Sequence, residues 1–181
     1  MQLEEDSRTE LDSHADTCVV GDNALIVHEH NRTVNVTGYE GSAGKTKRLK
    51  VVDAAVAYEG FGGEFYILRL NQAIYVKGLP HNLLCPMQLR MNGVEVGEKP
   101  KCLTPQPGDT DHAISVKDGV EDPAIMPLSL NGVTSHFPTR MPTEAECNDP
   151  GLMHLELTHK EPEWDPHTSC LLYTSPSPRD A

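Results

Sequence analysis

The chain is poor in aromatic residues and in positive charge. Aromatic side chains make up only 5% of its 181 residues and the apolar fraction is 38%, so we do not expect one large core spanning the whole length. The formal net charge is -12, from 15 basic and 27 acidic residues. Because affinity for nucleic acid depends on Lys and Arg that neutralise phosphates, this balance argues against direct nucleic-acid binding.

Long apolar runs and paired cysteines are also missing. No apolar run approaches the ~20 residues of a membrane span, and acidic residues stand where a signal peptide would be basic. We therefore expect a cytoplasmic protein with no membrane partner. The five cysteines are widely spaced without a CxxC pair, which favours reduced thiols. The nine histidines lack the cysteine pairs of a zinc site, so we predict no metal and no cofactor.

What the chain does have is turn residues and short β-prone runs. Its 14 glycines and 14 prolines interrupt helices, and the alternation of apolar and polar residues over Leu49–Tyr58 is typical of a half-buried strand. This pattern predicts a mainly all-β fold. The predicted strands are Glu10–Leu11, Cys18–Val20, Leu25–His28, Thr33–Thr37, Leu49–Tyr58, Glu64–Leu70, Ala73–Val76, His112–Val116 and Ile125–Val133.

Two short helices carry recognisable end signals. The clearer one is predicted over Asn82–Asn92, with Pro86 in its first turn and Gly93 at its C-terminal end. A second could begin near Thr143, because Glu146 follows it at the spacing of a capping box.

Shifts in composition divide the chain into four parts. We predict a disordered N-terminus at residues 1–8, a single domain at residues 9–102, and a linker at residues 103–147 that could hold an extra β-hairpin. Residues 148–181 are predicted to be poorly ordered. Their last part, residues 170–181, resembles a translated sequencing-adapter tail and is excluded from the functional interpretation.

The segment Leu11–Thr17, with the sequence LDSHADT, contains the most informative residues. An aspartic protease needs a carboxylate in a sharp turn after an apolar strand, and Asp12 follows Leu11 in this way, with the Ser13 hydroxyl beside it. The reaction uses two carboxylates that share a proton: one activates a water and the other polarises the peptide carbonyl. Because the chain has one such motif, the second carboxylate would be Asp12 of another copy. Taken alone, an Asp-Ser pair is also a common turn cap.

A second motif follows later in the chain. Residues 73–89 read AIYVKGLPHNLLCPMQL, a strand, a turn and an Asn-Leu-Leu element with Gln-Leu shortly after. With both motifs in this order, the chain resembles the retropepsin-like aspartic proteases of copia-type retrotransposons over Leu11–Gly97 and, less closely, over Pro127–Arg140. The resemblance implies a small closed β-barrel with one short helix. It also implies a homodimer that cleaves its own Gag-Pol polyprotein in the cytoplasm or in virus-like particles.

The resemblance also assigns roles to the residues of the first motif. Asp12 takes the catalytic position, and Ser13 supplies the hydroxyl that braces the two active-site turns against each other. Ala15 is the small residue behind them, and Asp16 has a substrate-side or structural role. His14, which would share such a role, stands where the family has glycine, a residue that allows close backbone approach to the substrate.

Several alternatives remain open at this level. Cys85, where these relatives usually have serine, is interpreted as a small buried helix residue. The flap over the site could be the Gly38–Gly44 turn or the Gly60–Gly63 turn. Since His14 departs from the family pattern, the chain could be a catalytically dead relic that acts as a dimerisation or peptide-binding module. An unrelated small β-barrel adaptor is a more distant alternative.

Overall fold

The computed structural model describes residues 7–37, 46–117 and 122–167. Within them the protein is mostly β. The strands are β1 Arg8–Leu11, β2 Val19–Val20, β3 Leu25–Thr37, β4 Thr46–Glu59, β5 Phe65–Tyr75, β6 Asn82–Leu84, β7 Glu95–Val96, β8 Ala113–Val116, β9 Ala124–Pro127, β10 Ser129–Asn131, β11 Thr134–Arg140 and β12 Met153–Glu156. The helices are α1 Pro86–Met91 and α2 Glu144–Asn148, with a 3₁₀ turn at Lys101–Leu103. The all-β prediction is confirmed.

Nine of the strands form one sheet. Its order is β10-β11-β1-β6-β2-β5-β4-β3, with β12 added to β5 and a further pairing between β11 and β4. Long antiparallel hairpins join β3 to β4 and β4 to β5, whereas β1 runs parallel to β6. The remaining three strands form a small sheet in the order β7-β8-β9.

One main core lies beneath these strands. Its fully buried side chains come from both sheets, from α1 and from the C-terminal segment; they include Leu68, Leu70, Leu84, Leu89, Ile114, Met126, Phe137, Leu155 and Leu157. Strands from both ends of the chain therefore contribute to the same core. Burying one such side chain stabilises the fold by about 1.5–3 kcal/mol.

The main helix begins later than its sequence pattern suggested. Asn82–Leu84 are strand β6, because they pair in parallel with Thr9–Leu11 of β1 and bury Leu84 in the sheet. The prediction of a helix from Asn82 is therefore wrong for these residues. Helix α1 starts with Pro86 at its first position, and Gly93 after its end has φ +79°, as the end signals predicted.

The boundaries predicted around the central domain need correction. Arg8 already belongs to β1, so residues 1–8 are not wholly a disordered N-terminus, although residues 1–6 lie outside the described part. Residues 103–147 are more than a linker, because β11 pairs with both β1 and β4. The predicted poor order after residue 148 is wrong up to His167, since β12 pairs with β5. Residues 170–181 lie outside the described residues.

Candidate functional site

The candidate carboxylate lies at the end of a buried strand. β1 is held between β11 on one side and β6 on the other, and Leu11 is buried. The pairing with β6 continues one residue further, because the Asp12 N–H donates to the Leu84 carbonyl at 2.9 Å. Asp12 is thus the first residue of the turn that follows the strand, as the sequence motif predicted.

A local turn then holds the Asp12 carboxylate. The His14 N–H donates to Asp12 Oδ1 at 3.0 Å, and the Ala15 N–H donates to the Asp12 carbonyl at 3.2 Å. Aspartate commonly stabilises a turn in this way. Asp12 and Ala15 are half-buried, whereas Ser13, His14 and Asp16 are exposed. The five predicted site residues therefore share one turn, with Ala15 packed against the core and Ser13, His14 and Asp16 exposed to solvent.

The strand that leaves this turn is attached to helix α1. The Cys18 N–H donates to Gln88 Oε1 at 2.8 Å, and Gln88 is completely buried. The Cys85 N–H in turn contacts Cys18 Sγ at 3.2 Å, while Cys85 Sγ accepts from the Gln88 N–H at the helix start. Cys85 is therefore the N-cap of α1, and its predicted burial is confirmed. Serine is a favoured residue at this position.

Burial disfavours the thiolate form of the two thiols beside the turn. It raises the pKa of Cys18 far above its usual value, although the hydrogen bond from the Cys85 N–H partly offsets this effect. Burial also raises the pKa of Cys85, and the negative charges of Asp16 and Asp12 raise it further. Since the thiolate is the reactive form of cysteine, both side chains act in packing and capping.

The turn is also contacted by a residue from the C-terminal part of the chain. The Trp164 indole N–H donates to the Asp16 carbonyl and to Thr17 Oγ1, both at 3.1 Å. Trp164 is 5% exposed. The sequence analysis missed this residue, because it lies in a Pro- and Glu-rich stretch; the one available signal was that it is the chain's only tryptophan.

Gln72, which the sequence analysis also missed, is hydrogen-bonded to several elements and to Trp164. Gln72 is buried within β5 and has a positive φ of 55°. Its N–H donates to Asp53 Oδ1 at 2.9 Å, and its side-chain oxygen accepts from the N–H of Trp164 at 2.6 Å and from Arg32 at 2.7 Å. Asp53 also contacts His30 Nε2 at 2.7 Å. These bonds connect β3, β4 and β5 with the segment that carries Trp164.

The histidines do not assemble into a metal site. His28 and His30 contact each other with ring centroids 4.9 Å apart. Nevertheless, within residues 7–37, 46–117 and 122–167, no group of three or more His, Cys, Asp or Glu side chains could hold a metal ion. The described ranges also contain no helix with the length and apolar character needed to cross a membrane.

Two surface depressions lie away from the Asp12 turn. The larger, about 560 Å³, lies between the ends of β4, β1 and β11; it is lined by Ser7, Arg8, Ala57, Glu59, Phe61, Ser129, His136, Pro138, Thr139 and Arg140. The smaller, about 350 Å³, is lined by Val27, His28, Asp53, Arg69, Asn71, His154, Glu156 and Lys160. Neither includes a residue of the 12–16 turn, so neither adds to the candidate site.

Comparisons of the chain with protein-family models, curated proteins and solved structures gave no match. The functional interpretation therefore depends on the geometry described above and on the sequence motifs.

Proposed function

We propose that the chain is an aspartic endopeptidase of a copia-type retrotransposon, active as a homodimer on its own Gag-Pol polyprotein. Asp12 is the catalytic carboxylate contributed by each copy, and Ser13 braces the two active-site turns. His14, Ala15 and Asp16 shape the turn or face the substrate. The protein acts in the cytoplasm or in virus-like particles, and uses no metal or cofactor.

The observation that carries this proposal is the contact between the two sequence motifs. They are far apart in the chain, yet the Asp12 backbone N–H donates to the Leu84 carbonyl at 2.9 Å. Strand β1, which precedes Asp12, pairs in parallel with β6, which ends at Leu84. The hydrogen bond from the Cys18 N–H to Gln88 Oε1 adds a contact between the first motif and helix α1. Both motifs therefore contribute to the structure around the Asp12 turn, which supports the assignment of the site to the residues that the resemblance implies.

The strand pairings support a closed barrel. Starting from β11, hydrogen bonds lead through β1, β6, β2 and β5 to β4. Thr139 and Arg140 of β11 then pair with Tyr58 and Ala57 of β4, which returns the path to its start. A small barrel closed by antiparallel and parallel pairings is the architecture that the resemblance implies, and closure removes exposed strand edges.

The presence of one apolar-Asp-Ser motif in the chain supports a dimer. A proton shared between two carboxylates requires them to lie about 3 Å apart. Asp16 is the other carboxylate of the turn, and we assign it a substrate-side or structural role, as the resemblance implies. The exposed side of the turn, with Ser13 and His14, is where a second copy would bring its own Asp12.

The backbone at His14 supports the active form over the dead relic. Among the described residues other than glycine, a positive φ occurs at Gln72 and His112, so His14 does not use the conformation that favours glycine. Its side chain is exposed, and its N–H is used to hold Asp12. A β-carbon at this position is therefore accommodated within one copy of the turn.

For the flap we propose the hairpin between β3 and β4. Beyond the Val51–Ile74 pair, which joins β4 to β5, Thr33–Thr37 pair with Thr46–Lys50 as a two-stranded arm. The Gly38–Gly44 turn itself lies outside the described residues. The alternative, Gly60–Gly63, is a tight turn bonded to itself, with the Gly60 N–H donating to the Glu64 carbonyl at 2.8 Å.

Autoprocessing tests the proposal. A protein of residues Met1–Ser169, flanked by its own polyprotein sequence, is compared with Asp12→Asn at mildly acidic pH. We expect cleavage by the wild type and loss of cleavage in the variant, because an amide cannot take part in the shared-proton chemistry. Asp109→Asn, which changes an exposed aspartate outside the turn, is the matched control and should still cleave. An uncleaved but folded and dimeric wild type that fails to bind a pepstatin-type transition-state analogue would favour the relic.

A further inference from the structure

The C-terminal segment His154–Trp164, here called the strap, follows the edge of β5 toward the Asp12 turn. Its first residues belong to β12, in which Leu155 lies opposite Leu68. Leu157 and Thr158 are completely buried, and the Leu157 N–H donates to the Arg69 carbonyl at 3.0 Å. The strap thus extends the sheet along β5 beyond the end of β12.

Polar bonds with Asn71 and Gln72 then fix the strap. Thr158 Oγ1 accepts from the Asn71 N–H at 2.7 Å, and the Asn71 side chain donates to the Thr158 carbonyl at 2.8 Å. The Gln72 side chain donates to the carbonyls of His159 and Pro162, both at 2.9 Å, and accepts from the Trp164 N–H. The strap therefore reaches Trp164 with its backbone held at several successive points.

Trp164 connects the strap to the Asp12 turn. Its indole N–H is shared between the Asp16 carbonyl and Thr17 Oγ1, and Thr17 is buried. The ring packs edge-on against His159, with centroids 6.0 Å apart. At its other end, the same turn is fixed by the bond from Asp12 to Leu84. The candidate catalytic turn is thus anchored at its start by β6 and at its exit by the strap.

We propose that Trp164 is a positioning residue for catalysis, which fixes the Asp12 turn through the Asp16 carbonyl and Thr17. This inference rests on the proposed protease function. Trp164 acts through the turn, since its indole N–H bonds to the Asp16 carbonyl and Thr17 Oγ1. Catalytic groups must be held within about 0.5 Å of their productive geometry, and a displacement of about 1 Å can cost on the order of 100-fold in rate.

The test compares Trp164→Phe with the wild type and with Asn92→Ala, in the full chain. Phenylalanine keeps an aromatic ring against His159 but removes the indole N–H. Asn92→Ala is the matched control, because it removes one hydrogen bond to the strap, from Asn92 Nδ2 to the Glu156 carbonyl, away from the turn. Steady-state cleavage of a fluorogenic peptide with the autoprocessing junction gives kcat and KM, and hydrogen exchange measures the amides of residues 14–18.

We expect Trp164→Phe to lower kcat about 10-fold to 100-fold with little change in KM, because the turn and not the substrate contacts are disturbed. Amide exchange in residues 14–18 should become faster in the same variant. Asn92→Ala should change neither quantity. An unchanged kcat in Trp164→Phe, with an active wild type, would overturn the proposal, as would equal effects of the two variants.

Failure of the protease function can be told apart from failure of this inference. If the wild type cleaves nothing, exchange alone decides whether Trp164 holds the turn: faster exchange in Trp164→Phe but not in Asn92→Ala supports it, and no difference refutes it. If Trp164→Phe does not fold, Thr17→Val replaces it, since this change removes one acceptor of the indole N–H. The same two quantities are then measured, with the same expected directions.

Discussion

The two parts of the molecule build the sheet in different ways. From Leu25 to Tyr75, β3, β4 and β5 are neighbours both in sequence and in space, joined by two antiparallel hairpins. After Ala124, by contrast, β11 pairs with β1 and β4, and β12 pairs with β5, all of them distant in the chain. The early strands form a local framework, whereas the late strands join parts of that framework to each other.

The late strands also support the start of the chain and the candidate site. Without β11, β1 would lose its partner on one side, and β4 would lose its contact with residues 139–140. Without the strap, the turn at Asp12 would keep its bond to Leu84 but lose both bonds from Trp164. The late segment, residues 124–167, therefore connects the start of the chain with its middle.

The largest expected effect comes from removing the late segment. A protein ending at Lys117 lacks β9, β10, β11, β12, α2 and the strap. With them it loses buried side chains that include Phe137, Leu155, Leu157 and Trp164. We expect it to show no cooperative thermal unfolding, because the main core loses several of its buried side chains. Circular dichroism during heating measures this. A protein ending at Ser169, which keeps every described residue, is the control and should melt as the full chain does.

A cooperative transition in the shorter protein would contradict this comparison. It would mean that residues 9–102 fold alone, as their composition suggested, and that this domain does not need the late strands to fold.

A single substitution in β11 sharpens the comparison. Phe137 is completely buried, with its ring centroid 6.0 Å from that of Tyr58. We expect Phe137→Ala to lower the free energy of unfolding by about 3–5 kcal/mol, because the cavity adds to the lost burial. Leu68→Ala, in the local framework, should cost about 2–5 kcal/mol. Chemical denaturation measures both.

The control for this pair lies in the same hairpin. Val133 is 98% exposed, so Val133→Ala should stay within about 0.5 kcal/mol of the wild type. If Phe137→Ala were as mild as Val133→Ala, β11 could not be part of the main core.

The smallest expected effect concerns the connection between β11 and α2. Hydrogen bonds from Arg140, together with one from the Thr143 N–H, lower the pKa of Glu146 from its usual 4.5 to about 2. Since this pKa is lower in the folded protein, its stabilising effect is present above about pH 4.5 and is lost as the pH falls toward 2. Melting temperatures of the wild type and Glu146→Gln should therefore differ at pH 6 and converge in acid, to be measured by scanning calorimetry. A constant difference would contradict this role of Glu146.

Features decided by neighbouring residues could be predicted from the sequence. Pro86 and Gly93 mark the ends of α1, and Thr143 with Glu146 forms a complete capping box at α2. Each depends on bonds within one turn of chain, which the residue types disclose. The position of Asp12 in a turn directly after Leu11 could be predicted for the same reason.

Features decided by distant residues could not. The sequence analysis ended one strand at Leu70 and began another at Ala73, because Asn71 and Gln72 are polar. In the structure β5 continues through both, since Asp53 and the strap satisfy their hydrogen bonds. Trp164 was missed for the same reason, because its partners Asp16 and Thr17 belong to the other end of the chain.

The most direct test of the proposed site is a dimer of two copies joined by a flexible linker, with Asp12→Asn in one copy only. If each site needs Asp12 from both copies, we expect the single substitution to abolish peptide cleavage. Asp109→Asn in one copy, at an exposed aspartate outside the turn, should leave cleavage close to that of the unsubstituted linked dimer. Measurement at several protein concentrations excludes exchange of partners between linked dimers. About half of the activity remaining after the single Asp12→Asn substitution would contradict the shared site, because each copy would then hold a complete site of its own.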